Sequence, residues 1–216
     1  MTFLEAVNDV LARLRESTVA TVSQSNYSSM IAAFVNDAKN KVEDAWEWDA
    51  QNTTLTVTTA PGVSNYVLTG AGMRHKGATA NITTSGRQAR LTPKSMNWIQ
   101  DQQQLTTTTT SAPIYYAWNG SNGTDSKVEF FATPDAAYTI AFNLNVPQVK
   151  LTADSDAIIV CPEVIVLGAY ARALAERGED GALMSSEAYG LYQGALSDRI
   201  AIEQSRNEDY ATWAPT

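Results

Sequence analysis

The chain has 216 residues and a formal net charge of −8, and only 18% of its residues are charged, against about 25% in typical soluble domains. Apolar residues make up 44% of it, so the chain should fold around a buried core. An acidic chain with no strong basic cluster does not fit a conventional nucleic-acid reader, which concentrates positive charge against phosphates. The first predicted element is a helix over residues 2–15, because apolar residues recur there at spacings of three and four.

A second helix is predicted from Ser25 or Tyr27 to about Trp48. Ser25 is the expected N-cap, since its hydroxyl can accept a hydrogen bond from an unpaired backbone N–H. Within this helix Glu43 and Glu47 would share a face, being four residues apart. A pair of carboxylates can serve hydrolysis of a sugar, but packing explains the neighbouring tryptophans better than sugar stacking does.

The hydrophobic period changes to two in the middle of the chain, which predicts β-strands. Residues 93–112 fit neither period and are expected to form a long loop with a short helical piece near 97–103. The hairpin across residues 114–131 turns at Asn119–Gly123. The predicted strands are 53–59, 63–69, 78–84, 87–91, 113–118, 126–132 and 137–144.

Two further helices are predicted near the C-terminus. One begins at Pro162, which suits a first helical turn, and stops at Gly178. The other spans about 185–206, with six residues expected to face inward. These six are Ala188, Leu191, Tyr192, Ala195, Arg199 and Ile202.

The expected fold class is therefore α+β: a discontinuous antiparallel bundle of four main helices from both chain ends, with a small antiparallel β-sandwich or barrel inserted. The expected domains are a helical domain of 1–50 and 150–206, a β-domain of 51–149, and an extended C-terminal tail of 207–216. Such an insertion is tolerated where the two ends of the insert lie close together.

We find no catalytic constellation in the sequence. His75 is the single histidine, so it has no partner for a metal site or a nucleophilic dyad. Cys161 is the single cysteine, which excludes an internal disulfide and is expected to be buried and inert. No phosphate-loop, hydrolase or zinc motif occurs. We therefore expect no enzyme activity, no metal and no cofactor.

The sequence also predicts where the protein is made. Glu5 and Asp9 interrupt any apolar core of a signal peptide. No apolar run reaches the roughly 18 residues that a membrane-spanning helix needs. The expectation is a chain that is intracellular when made and does not enter a membrane.

Several short motifs resemble one family. They are Val7-Asn8-Asp9-Val10-Leu11, Val35-Asn36-Asp37-Ala38-Lys39, Val42 to Trp48 (VEDAWEW), Pro134-Asp135 with Tyr138-Thr139-Ile140, Val160-Cys161-Pro162-Glu163, and Ala169 to Asp180 (AYARALAERGED). Together they resemble the head-to-tail adaptors of short-tailed bacteriophages, also called tail tubular protein A. The likeness extends over most of the chain, and the central β-region carries little of it.

The resemblance implies a helical bundle with an inserted β-domain, assembled as a homo-oligomeric ring of twelve copies in the virion. The ring would lie between the portal protein and the tail nozzle protein, with tail fibres as a further partner, and DNA would pass through it without sequence-specific binding. A carbohydrate- or protein-binding β-module of a phage tail, also non-catalytic, is the alternative.

Aromatic residues are the candidate contacts with these partners. Tyr210 and Trp213, with Pro215, lie in a tail too short to bury them alone, so they are the candidates for binding the portal, and a disordered end is the alternative. Tyr116 and Trp118 lie on a predicted strand with one outward face, and with Trp98 they are the candidates for contact with the nozzle or a fibre.

Overall fold

The computed structural model describes residues 1–105, 109–178 and 183–206, with Leu183 described by its backbone only. The chain divides into two compact units, one of residues Met1–Ala50 and Gln148–Thr216 and the other of Gln51–Pro147. Each unit has its own buried apolar cluster. We call them the helical unit and the β-unit.

The described part of the helical unit contains four helices: α1 (Phe3–Arg13), α2 (Asn26–Ala45), α4 (Pro162–Arg177) and α5 (Leu183–Gln204). Capping boxes start the first two helices. The Thr2 hydroxyl accepts from Glu5 N–H while the Glu5 carboxylate accepts from Thr2 N–H, and Ser25 and Ser28 form the same reciprocal pair. The predicted N-cap at Ser25 is confirmed.

Close packing of α4 against its neighbours depends on one glycine. A Cβ at Gly168 would lie 3.0 Å from the Tyr192 ring and 3.2 Å from Ala38 Cβ, so only glycine lets α2 and α5 approach α4 this closely. As predicted, α4 has Pro162 in its first turn, and it is followed by Gly178 in the left-handed conformation at φ 61°.

Outside the undescribed residues 106–108, the β-unit holds seven strands and one helix. Its strands are β1 (Asn52–Thr58), β2 (Asn65–Val67), β3 (Lys76–Ile82), β4 (Ala89–Pro93), β5 (Tyr115–Ser121), β6 (Ser126–Phe131) and β7 (Thr139–Asn145), with helix α3 (Met96–Leu105) between β4 and β5. They form one sheet in the order β1-β7-β3-β4-β5-β6-β2. Every pairing is antiparallel except the short parallel pairing of β4 with β5.

The predicted fold class is wrong in its architecture. Over the residues that the structure describes, the protein is a mixed α/β structure of five helices and one seven-stranded, nearly closed barrel sheet, and not a four-helix bundle with a small inserted antiparallel domain. The extra helix, α3, was underestimated because Ile99 is its one buried residue, so it shows almost no apolar period. The parallel pairing could not be predicted because alternation identifies strands but not their partners.

The inward face predicted for the last helix is also partly wrong. Tyr192 and Ala188 are buried as expected, but Leu191, Arg199 and Ile202 are exposed. Apolar residues lie on two sides of α5, so the sequence pattern did not distinguish its buried side from its exposed side.

Candidate protein-interaction surfaces

The outward face of the β5–β6 pair carries a group of half-buried aromatic side chains. Tyr115 pairs with Phe131 in the register of the two strands, so both side chains lie on one face, and their rings stack with centroids 6.4 Å apart. Trp98 of α3 meets them edge-on, with its ring centroid 4.9 Å from that of Tyr115 and 5.7 Å from that of Phe131. We call these three residues the aromatic patch.

A lysine extends the aromatic patch, and the residue that precedes Tyr115 in the chain is an exposed isoleucine. Lys94 Nζ lies 5.3 Å from the Trp98 ring centroid and 5.4 Å from the Tyr115 centroid, a cation–π arrangement worth about 0.5–1 kcal/mol at an exposed site. Ile114 beside Tyr115 is 53% exposed. Tryptophan and tyrosine are enriched in protein interfaces, so this surface has the composition of a binding site for another protein.

The other two predicted contacts of this region point to the opposite face of the sheet. Tyr116 is only 2% exposed and donates its hydroxyl hydrogen to Ala78 O at 3.0 Å; burial raises its pKa. Trp118 is half-buried and packs on His75, with ring centroids 4.2 Å apart. Tyr116 is therefore a core residue with almost no surface for a partner, and Trp98 is the predicted contact on the outward face.

His75 takes a structural position. Its Nδ1 lies 3.3 Å from the Ser126 hydroxyl, and burial lowers its pKa, because the charged ring loses hydration. Within the described residues no group of three or more histidine, cysteine, aspartate or glutamate side chains could hold a metal ion.

A polar row on α2 fixes the segment through which the chain re-enters the helical unit. Asn36 donates through its amide to Leu151 O at 3.2 Å and accepts from Leu151 N–H at 2.9 Å, as a neighbouring strand would. Lys39 donates to Gln148 O at 2.5 Å, and Glu43 accepts from Gln148 N–H at 3.2 Å. We call Asn36, Lys39 and Glu43 the α2 clamp.

The α2 clamp contains a fully buried ion pair. Lys39 Nζ and Glu43 Oε2 are 3.1 Å apart, and both side chains are 0% exposed. The sequence paired Glu43 with Glu47 instead, but α2 ends at Ala45, so Glu47 lies beyond the helix. The motif around Val35–Lys39 that carried the family resemblance is therefore a structural one, since two of its residues hold the returning chain.

The candidate portal contacts Tyr210, Trp213 and Pro215 lie outside the described residues, and their role stays a prediction. Among the described helices, none combines the length and the hydropathy that crossing a membrane requires.

Comparison with known proteins identifies the family. The model of the SU10 adaptor protein family matches residues 1–216, which is the whole chain. The chain belongs to the SU10 adaptor protein family. No curated protein matches it. Family membership makes the chain a structural adaptor subunit of a phage particle that interacts with other head and tail proteins. Such a role is consistent with the lack of a catalytic constellation in the sequence.

Proposed function

We propose that the chain forms a ring between the portal and the tail nozzle of its phage, and that the ring continues the DNA channel. The match of the adaptor family over the full length of the chain carries this proposal. The structure adds two surfaces suited to protein contacts, the aromatic patch and an apolar outer side of α5. Twelve copies and a short-tailed particle are the finer expectations from the sequence resemblance.

The charge distribution supports the idea of a DNA channel. The helical unit has nine lysines and arginines and nineteen acidic residues, so its formal charge is −10. The β-unit has six lysines and arginines and four acidic residues, so its formal charge is +2. A channel wall made by the helical units would repel DNA phosphates and let the genome slide. This arrangement predicts that acids of the helical unit face the channel, and a ring with those acids on its outer wall would contradict it.

We assign the aromatic patch to the distal partner, the nozzle protein or a tail fibre, and the tail containing Tyr210, Trp213 and Pro215 to the portal. Trp98 and Tyr115 provide large amphipathic rings on an outward face, which fits the residues that dominate binding energy in interfaces. A chain truncated after Arg206 should keep its fold and lose portal binding, and unchanged binding would reject the portal assignment.

Particle assembly tests the function itself. Cells infected by the phage lacking this chain should accumulate heads and tails that are not joined, since no adaptor connects the portal to the nozzle. Purified chain added to such an extract should restore joined particles, counted by electron microscopy. Joined, infectious particles in the absence of the chain would disprove the proposal.

Trp98→Ala tests the distal surface. Removing the central ring of the aromatic patch should weaken binding to the distal partner by at least about 2 kcal/mol, as for an interface hot spot. Met73→Ala is the control, because Met73 is also exposed on the β-unit, at 61%, and lies outside the patch. Equal binding by both variants would show that the aromatic patch is not part of the interface. If the isolated chain binds glycans and Trp98→Ala abolishes that binding, the carbohydrate-binding alternative is favoured.

A further inference from the structure

Helix α5 has apolar side chains on two sides. Ala188, Tyr192 and Leu196 are buried against the rest of the helical unit. Met184, Leu191 and Ile202 lie on the other side of the helix and are 53%, 62% and 46% exposed. Helices that are apolar all round are normally covered on all sides. The outer side of α5 therefore has the character of a contact surface.

Two glycines on the outer side of α5 have no packing role among the residues that the structure describes. A Cβ at Gly190 or Gly194 would meet nothing within 4 Å, whereas Gly168 on α4 makes room for the Tyr192 ring. A glycine within a helix costs about 1 kcal/mol relative to alanine. Unlike Gly168, Gly190 and Gly194 gain no packing in return within the described structure, but they would let the backbone of another element come close.

Acidic residues accompany these apolar ones. Glu187 and Asp198 are exposed and lie on the same side of α5 as Leu191, at helical positions four before it and seven after it. Neither forms an ion pair with a cation of the described residues. We call Met184, Glu187, Leu191, Asp198 and Ile202 the α5 ridge.

A second surface of the helical unit, a groove lined by apolar and basic residues, complements the apolar and acidic α5 ridge. It lies between α2 and α4 beside the first turns of α5, with a volume of about 420 Å³. Its lining includes Phe34 and Ala38, and the charged residues in the described part of that lining are Lys41 and Arg172. Arg172 lies 5.1 Å from the Phe34 ring centroid and pairs with Asp37 at 2.8 Å, with both charged side chains about half exposed.

We propose that the α5 ridge of one copy of the chain packs into the α2–α4 groove of a second copy, with Glu187 and Asp198 facing Lys41 and Arg172. This proposal rests on the proposed function, in which copies of the chain assemble into a ring, and it names the contact between neighbouring copies. The small side chains in the groove leave room for Leu191, and the opposite charges fix the orientation. Because ridge and groove are different faces, the contact is heterologous and repeats from copy to copy, as a ring requires.

A charge-reversal cycle on the full-length chain tests the contact. The ridge variant is Glu187→Lys with Asp198→Lys, and the groove variant is Lys41→Glu. By sedimentation velocity over a concentration series, the wild-type chain should self-associate, and each variant alone should associate at least about tenfold more weakly, because like charges then meet. Mixing the two variants should restore association. When the two variants alternate, the lysines of the changed ridge face the glutamate of the changed groove, and the unchanged ridge faces the unchanged groove.

Two controls separate this contact from a loss of fold or a general charge effect. Lys150→Glu reverses an exposed lysine of the same unit outside the groove and should associate like wild type. Leu191→Asp should abolish association, whereas Leu105→Asp, at a leucine that is 81% exposed on the β-unit, should not. Circular dichroism should match wild type for every variant.

Three results would overturn the proposal: a wild-type chain that stays monomeric up to its solubility limit, a mixture of variants that does not associate, or ridge variants that lose portal binding while self-association is unchanged. Joining of heads and tails is measured separately. A chain that joins them without this contact would refute the contact and leave the proposed function standing.

Discussion

The buried ion pair of the α2 clamp gives the sharpest prediction about stability. Glu43→Gln keeps the shape of the side chain but removes the charge beside Lys39, which is 0% exposed and lies 3.1 Å from Glu43 Oε2. Breaking a buried pair by removing one partner costs about 3–5 kcal/mol, since the remaining charge loses its opposite charge and keeps only hydrogen bonds to neutral groups such as the Gln148 carbonyl. The whole stability of a domain is about 5–15 kcal/mol, so the loss should be large.

Equilibrium urea denaturation followed by helical circular dichroism measures this loss. Lys41→Met is the matched control, measured on chain dilute enough to be monomeric, since Lys41 also lines the proposed contact groove. Lys41 lies on the same helix and is exposed, so its replacement should change the free energy of unfolding by less than about 0.5 kcal/mol. The double variant Lys39→Met with Glu43→Leu should lose less than the sum of the single variants, because neither charge is left alone. A loss below about 1 kcal/mol for Glu43→Gln would show that buried Lys39 does not depend on the Glu43 charge.

Two further predictions concern the β-unit and α5. Burial lowers the pKa of His75, so its neutral form stabilises the fold; this contribution is present above the unfolded pKa of about 6.5 and is lost as pH falls through the lower folded pKa. The urea midpoint should therefore fall between pH 7.5 and 5.5, and His75→Gln should reduce that fall; an equal fall in the variant would contradict the assignment. Gly190→Ala should raise the free energy of unfolding of the dilute chain by up to about 1 kcal/mol, because a Cβ there meets open space, and the thermal midpoint should rise with it. Gly168→Ala should lower the midpoint, since its Cβ would press on Tyr192; a rise for Gly168→Ala would show that the packing relaxes freely.

Much of the secondary structure was predictable because local physics determines it. The spacing of Phe3, Val7 and Leu11 puts them on one helical face, and all three are buried on α1. Each of the seven predicted strands overlaps an observed strand, because alternation of apolar and polar residues identifies a strand with one face buried. The architecture was not predictable in the same way, since the parallel contact of Thr92 with Tyr115 joins strands separated by α3, whose sequence carries little apolar period.

The candidate surfaces were predictable only in part. Alternation places Tyr115 and Tyr116 on opposite faces of a strand, but it does not say which face is outward, and the structure buries Tyr116. The aromatic patch depends on the register that sets Phe131 opposite Tyr115, and on the position of α3 over them. Phe131 was missed for this reason. The α2 clamp was missed because the partners of Asn36 and Lys39 are backbone atoms more than 100 positions away.

The mass of the assembled species tests the adaptor role most directly. Native mass spectrometry of the full-length chain, alone and with purified portal, would give the number of copies bound to each portal assembly. As an adaptor, the chain should bind the portal in several copies as a closed ring, and Leu191→Asp should reduce the number bound. A chain that remains free of the portal at every concentration would show that it is not an adaptor.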